Sequence, residues 1–302
     1  MSETLGFIGL GNMGGPIAAN LLAAGFGLRV YNRTASKAAP LAAKGAQVVQ
    51  TPAETAAPGG IVLTMLSDDR GLDAVCLPQG SFVEKLGAGG LHISLSTISP
   101  ATARRLTAHH ARFGVTYVAC PVFGRPEAAA AKKLFLCMSG PSSAKARGAQ
   151  IFAAIGQGNF DFGEEPGAAN VVKLCGNFLI AATVEALAEM LTLGAKNGVP
   201  MKAIAELIGA FSPMHYGYAK LIAEQNFEPA GFRLALGMKD INLVLQAAAD
   251  STTPLPLASL LHDRWLAAIA KGRGDLDWSA VALNVAEDAG LKLGGTPKSA
   301  GA

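Results

Sequence analysis

Charge is scarce in this chain and nearly balanced. Only 16% of the 302 residues are charged, and 25 basic side chains against 22 acidic ones leave a formal charge of +3. The charges are dispersed, so no basic tract exists to grip nucleic acid or an anionic membrane, and the expected partner is a small molecule. Cysteine is just as sparse: Cys76, Cys120, Cys137 and Cys175 stand far apart and form no Cys-x-x-Cys pair. That spacing argues against zinc and against a disulfide framework, predicts no bound metal, and fits a reducing cytoplasm. Also missing are a basic stretch leading into an apolar one at the N-terminus and any uninterrupted apolar run of about 18 residues. A soluble, unexported protein is expected, with no membrane partner.

What the chain has is apolar material and glycine. Half of its residues are hydrophobic and 36 are glycine, enough at this length for two domains with sizeable cores. Leu5 to Gly9 reads as a strand. It runs into Gly9-Leu10-Gly11-Asn12-Met13-Gly14, a Gly-x-Gly-x-x-Gly turn, and then into a helical pattern with Ile17, Leu21 and Leu22 on one face and Gly25 as its stop. In such a unit the first glycine makes the tight turn, the second admits backbone amides to a pyrophosphate, and the third lets helix pack on strand. The helix N-terminus favours an anion without any charged side chain. A cofactor-binding βαβ unit is the expectation, against a merely structural glycine turn.

A second strand, Leu28 to Tyr31, ends at Asn32-Arg33-Thr34, with Lys37 close behind. An NAD site places an acid here for the ribose hydroxyls. Asn32 is neutral, while Arg33, Thr34 and Lys37 are suited to a 2′-phosphate, so NADP(H) is favoured over solvated charges opening the next helix. The βα rhythm continues with a helix over Ala35 to Lys44 and a strand over Ala46 to Val49. After the strand Ile61 to Met65, the residues Met65, Leu66 and Ser67 fall at the sheet edge where loops touch ligand, although Met65 and Leu66 can equally close the core. Leu91 to Leu95 leads to Ser96 and Thr97, placed to bond a nicotinamide ribose or a substrate, and then to Ser99-Pro100, an ordinary helix cap. A loop from Cys120 to Pro126 follows on the same edge, then strands at Leu134 to Met138 and Asn159 to Phe162.

From Pro166 onward no strand pattern remains. Gly167 to Lys196 carries no proline and forms, as one helix, a rod of roughly 45 Å. Asn170, Lys173 and Asn177 share one of its faces among apolar neighbours. A lysine so placed either snorkels to water or lines a polar cleft, and a domain cleft is expected at this point of the chain. Gly237-Met238-Lys239-Asp240 is read as an interruption in an amphipathic helix, and Gly272 and Asp277 as a helix stop and a new cap. The domains expected are residues 1–164, 165–293 and a flexible tail, 294–302.

These segments together resemble the β-hydroxyacid dehydrogenase family, which includes 3-hydroxyisobutyrate dehydrogenases and glyoxylate/succinic semialdehyde reductases. The likeness rests on GFIGLGNMGGPIAANLLAAGF from Gly6, YNRT from Tyr31, MLSDD from Met65, LSTISP from Leu95, PGAANVVKLCGN from Pro166, MKD from Met238 and GDLDWSAV from Gly274. It implies an α/β fold, an N-terminal Rossmann doubly wound sheet followed by an all-α domain linked by the long helix. It implies Lys173 as the catalytic lysine, Asn177 as its assistant, cofactor contacts from Thr97 and Lys239, and a homodimer or homotetramer. The chemistry agrees: an ammonium within reach of a carbonyl oxygen stabilises the charge that hydride delivery develops there, and donates a proton.

One segment departs from the family. Where Pro-Val-Ser-Gly-Gly usually holds the substrate carboxylate, this chain has Pro121-Val122-Phe123-Gly124-Arg125. Phe123, Gly124 and Arg125 are therefore expected at the substrate, Arg125 either binding a carboxylate through its fork of donors or facing solvent. The activity expected is NADPH-dependent reduction of a small semialdehyde, hydroxy-acid precursor or related aldehyde. The alternatives are an imine reductase, which usually lacks a lysine at the position of Lys173, and a non-catalytic nucleotide-binding module.

Overall fold

A computed structural model describes residues 3–293; the tail expected at 294–302 lies outside them. By their internal contacts the residues form two units, one through Lys173 and one from Leu174 onward.

The first unit alternates strand and helix: β1 (Thr4–Ile8), α1 (Gly14–Ala23), β2 (Gly27–Tyr31), α2 (Ala39–Ala42), β3 (Gln47–Val48), β4 (Ile61–Thr64), α3 (Asp69–Cys76), α4 (Phe82–Leu86), β5 (Leu91–Ser94), α5 (Pro100–Ala111) and β6 (Thr116–Ala119). The six strands are parallel in the order β3-β2-β1-β4-β5-β6. Strand order therefore reverses between β1 and β4, and in such sheets the crevice at the carboxyl ends of the reversing strands is where ligands sit. β4 and β5 are buried at every position, as strands covered on both faces must be. Leu5, Phe7, Ile17 and Leu21 pack one face with Leu63 and Ile93; Ile8, Val62, Leu72, Phe82 and Leu106 pack the other.

A smaller sheet follows: β7 (Val122–Phe123), α6 (Pro126–Ala130), β8 (Leu134–Met138), α7 (Ser142–Arg147), α8 (Ala149–Ile155) and β9 (Gly156–Asp161), with strand order β7-β8-β9. β7 lies in the segment expected as a loop, and it pairs antiparallel with β8, Phe123 opposite Phe135.

Two segments around β3 also differ from expectation. The segment 35–44 is a 3-10 turn over Ala35–Ala38 and a single α turn, because Pro40 at the start of the α turn withholds an N–H from the turn before it. The strand expected over 46–49 is only β3, two exposed residues at the sheet edge.

The second unit is helical: the continuation of α9 (Ala168–Lys196), then α10 (Met201–Phe211), α11 (Pro213–Ala223), α12 (Leu234–Asp250), α13 (Pro256–Ala270) and α14 (Ala282–Asp288). Leu234, Ile241, Leu261, Trp265 and Trp278 pack together with Ala181 and Val184 of α9. α12 runs unbroken through Gly237, contrary to the interruption expected there. A Cβ at Gly237 would stand 2.9 Å from Trp265 Nε1 and 3.0 Å from Trp278, so the glycine is a packing choice that lets two indoles lie against the helix. α9 is long and apolar enough to cross a bilayer by length and composition, yet it buries Asn170, Lys173, Asn177, Glu185 and Thr192.

Candidate active site

The glycine loop joins β1 to α1. Gly9 has φ +100°, and a Cβ there would strike the Met65 carbonyl oxygen at 2.2 Å; one at Gly14 would strike the Gly9 oxygen at 1.9 Å. Both positions demand glycine for packing. Gly11 differs, because a Cβ there meets nothing within 4 Å. Its bareness keeps open a space beside the N-terminus of α1, whose first turn has no side-chain cap. Backbone amides before an uncapped helix, with room above them, are what a pyrophosphate requires, and the residues present fit a dinucleotide.

The space continues as a cavity of about 570 Å³ lined by Gly9, Gly11, Asn32, Arg33, Thr34 and Lys37 on one side and by Met65, Leu66 and Ser67 on the other. Asn32 organises this end. Its Oδ1 accepts from Leu10 N (2.8 Å) and its Nδ2 donates to Thr34 O (2.9 Å), tying the glycine loop to the turn after β2. The amide is spent on shape, and the turn it shapes presents the exposed Arg33, Thr34 and Lys37. The Leu10 amide is likewise engaged with Asn32, while Asn12 is exposed on the loop and Met13 packs against the core. Met65 and Leu66 both line the cavity and cover hydrophobic core.

Sequence reasoning missed part of this wall. Pro52, Gly71, Ala74 and Val75 also line the cavity; the amphipathic pattern of α3 shows that one face is buried but not what the other borders. Asp69, at the end of the MLSDD segment, accepts from Ser99 N (2.9 Å), Ser99 Oγ (2.7 Å) and Thr102 Oγ1 (3.1 Å). That carboxylate fastens the start of α5 to α3. Ser96 is fully buried, its Oγ accepting from Leu66 N at 2.9 Å, so it braces the loop after β4 from below. Thr97, by contrast, is half-buried at the sheet edge.

Lys173 arrives from α9. Ser139, at the end of β8, donates to Pro166 O and accepts from Ala169 N, each at 3.1 Å, and so anchors the first turn of the helix to the small sheet. One turn on, the Lys173 ammonium lies 3.8 Å from the centroid of the Phe123 ring, and the residue is 8% exposed. Burial pushes the nearby Cys137 thiol up while the Lys173 charge pulls it down. The Asn170 Oδ1 is buried and has no hydrogen-bond partner among the described residues. Gly124 has φ +141°, and a Cβ there would meet Leu134 at 2.6 Å. Arg125 is half-buried just before α6.

In the second unit Asn177 Nδ2 donates to Asp240 Oδ2 (2.5 Å), and Lys239 Nζ pairs with Asp240 Oδ1 (2.7 Å). Asp240 is buried and links two residues expected in the site, a role that its place in Met238-Lys239-Asp240 does not reveal.

A different polar cluster lies in the core of the first unit, where ligating atoms of Cys76, His92 and His110 fall within 4.8 Å of one another. Hydrogen bonds occupy the imidazoles. The Leu106 carbonyl can only accept, so His110 Nδ1 donates to it (2.6 Å); His110 Nε2 then accepts from His92 Nδ1 (2.8 Å), and His92 Nε2 accepts from Thr64 Oγ1 (2.9 Å). The nitrogens a cation would need are engaged. Burial, with the His110 imidazole second, holds His92 far below the usual histidine range; burial, partly opposed by the bond to the Leu106 carbonyl, pushes His110 down to about 4.

Comparison with known proteins yields two family matches that overlap in α9. Residues 4–175 match the family described as the NAD binding domain of 6-phosphogluconate dehydrogenase, and residues 167–285 the one described as NAD-binding of NADP-dependent 3-hydroxyisobutyrate dehydrogenase. An uncharacterized oxidoreductase of Bacillus subtilis, YfjR, is 44% identical over 276 residues, covering 91% of this chain and 96% of its own length. The 3-hydroxyisobutyrate dehydrogenase of Pseudomonas aeruginosa is 31% identical over 289 residues, covering 92% and 96%. A solved structure of the Mycobacterium tuberculosis 3-hydroxyisobutyrate dehydrogenase with L-serine has a TM-score of 0.81 at 29% identity, covering 94% of this chain and 99% of that one.

Proposed function

The chain belongs to the β-hydroxyacid dehydrogenase family of nicotinamide-dependent oxidoreductases, and from that premise we propose an NADPH-dependent reductase of small aldehydes, among them semialdehyde acids, with Lys173 as general acid. The observation that carries this reading is a lysine buried to 8% exposure on the first turns of α9. A nicotinamide cofactor supplies hydride when bound. The amides of Gly11 to Gly14 hold its pyrophosphate, and Arg33, Thr34 and Lys37 hold a 2′-phosphate that NADH lacks. Lys173 donates a proton from Nζ to the carbonyl oxygen as charge develops there, and regains one from water. In the direction of oxidation the neutral amine takes the proton from the hydroxyl. Asn177 binds substrate, its amide orientation set by Asp240. Thr97 and Lys239 contact the cofactor, and Arg125 takes a substrate carboxylate.

A homodimer or homotetramer is the proposed assembly, as one that would cover Leu179, Leu193, Leu207 and Phe211 of the second unit, each more than 60% exposed. Light scattering that finds a monomer at micromolar concentration overturns that part.

The activity is tested by following NADPH and NADH consumption with succinic semialdehyde, glyoxylate, propanal, benzaldehyde and a cyclic imine. Turnover of an aldehyde with NADPH preferred is expected. Turnover of the imine alone would replace the proposal with an imine reductase, and cofactor binding without any turnover would leave a binding module.

A further inference from the structure

Taking an ammonium out of water requires something that replaces the water. Lysine is almost never buried without such a partner, and the group that β7 turns toward Lys173 Nζ is an aromatic face, the Phe123 ring at 3.8 Å. The negative face of a benzene ring attracts a cation within about 6 Å of its centroid, more strongly where solvent is excluded.

The two partners are held by different elements. Phe123 is fixed by its pairing with Phe135 of β8, and it packs against the apolar cluster that contains Cys137 and Ala169. The chain must turn immediately after it, at Gly124, where the positive φ and the close approach of Leu134 admit no side chain. Lys173 is fixed by α9, whose first turn Ser139 anchors. The backbone of each residue is held without the other, and the ring lies under the ammonium. That is a built contact, unlike the chance proximity of two mobile surface groups.

We propose that Phe123 is the positioning residue of Lys173: its ring face seats the ammonium, keeps it charged in a buried place and aims Nζ. The inference rests on the reading of Lys173 as the proton donor. From β8 the titratable group facing the lysine is the Cys137 thiol, which burial pushes up and which is therefore neutral near pH 7. Asn170, one turn earlier on α9, does not titrate. A hydroxyl in place of the ring can take one hydrogen bond from the ammonium but offers no face, so the ring both replaces water and excludes it.

Ring-fluorinated phenylalanines at position 123 provide the test, since mono-, di- and trifluoro substitution keeps the shape of the ring while draining its negative face. Phe123→Leu removes the face altogether and Phe123→Trp preserves one. The lysine Nζ resonances of the NADP-bound protein are titrated by NMR, with Lys173 assigned by its loss in Lys173→Met, and NADPH affinity is measured alongside. The Lys173 pKa is expected to fall stepwise with each fluorine, by roughly one pH unit at three. Phe123→Leu follows the same direction, Phe123→Trp restores the starting value, and NADPH affinity does not change. A pKa indifferent to fluorination overturns the seat even where Lys173→Met abolishes aldehyde reduction. A graded pKa together with full turnover by Lys173→Met overturns instead the catalytic reading that the seat serves.

Discussion

The first unit buries two sets of bases and treats them in opposite ways. His92 and His110 lie in its core, where each imidazole both donates and accepts, and a chain from Thr64 to the Leu106 carbonyl closes without any charge. Lys173 cannot close such a chain, because an ammonium offers three donors and no acceptor. The face of the Phe123 ring lies 3.8 Å from it. Burial makes a base a piece of structure when its neutral form finds the partners it needs, as the two imidazoles do; the proposed role of Lys173 uses the charged form instead. The exposed Arg33 and Lys37 form a third case, charges left in water for a ligand to claim.

The contrast breaks most visibly at the lysine. Lys173→Met is expected to lower kcat for aldehyde reduction by about 10²- to 10⁴-fold, the usual contribution of a placed acid, with NADPH affinity unchanged. A variant with nearly full kcat makes Lys173 structural after all.

The histidines should show the reverse: no effect on chemistry but a strong effect on acid stability. Their folded-state pKa values lie below the unfolded value of about 6.5, so below that pH the unfolded chain binds more protons. The stability they provide is complete above about pH 7.5 and is lost as pH falls through 6.5, each imidazole costing up to about 1.4 kcal/mol per pH unit. For His110 the loss levels off near 4. Denaturant titrations at pH 7, 6 and 5, above the range where most carboxylates titrate, read this directly. A flat profile means that the pair is charged or solvated.

Arg33→Ala probes the charge left in water. It is expected to weaken NADPH binding about ten- to a hundredfold while leaving NADH almost unaffected, because only NADPH brings a phosphate for a charged hydrogen bond. Equal losses by calorimetry reduce Arg33 to packing.

The smallest effects are expected at the rim of the lysine site. Arg125→Ala should raise KM for succinic semialdehyde about tenfold and leave propanal unchanged, while Phe123→Ser shifts preference toward small acids by a similar factor. An unchanged substrate ranking in both variants places this segment outside the pocket.

Much of the nucleotide-binding unit was legible in the residues. Gly9, Gly11 and Gly14 announce their roles by spacing, and the strand and helix rhythm around them follows from hydrophobic periodicity and from Ser99-Pro100 and Gly25 as punctuation. The helix from 168 to 196 is visible as an unbroken pattern without proline. Less legible were the residues that act on something distant in the chain. Gly237 looks like a break because glycine weakens a helix, and only Trp265 and Trp278 explain why it does not. Asn32 shows in the sequence only as the neutral residue where an acid could stand, and its amide braces Leu10 and Thr34.

The sequence by itself determined the alternation of strand and helix through the first unit, the long helix after it, the glycine turn after β1, and that no acid stands at the end of β2. Each of these is decided within a few residues, by backbone freedom, periodicity and the presence or absence of a side chain. Only the tertiary structure decided that Phe123 lies beneath Lys173, that Asp240 holds Asn177, and that His92 meets His110. Those partners stand 50, 63 and 18 positions apart, and a contact between distant residues depends on the packing of whole elements, which no local pattern specifies.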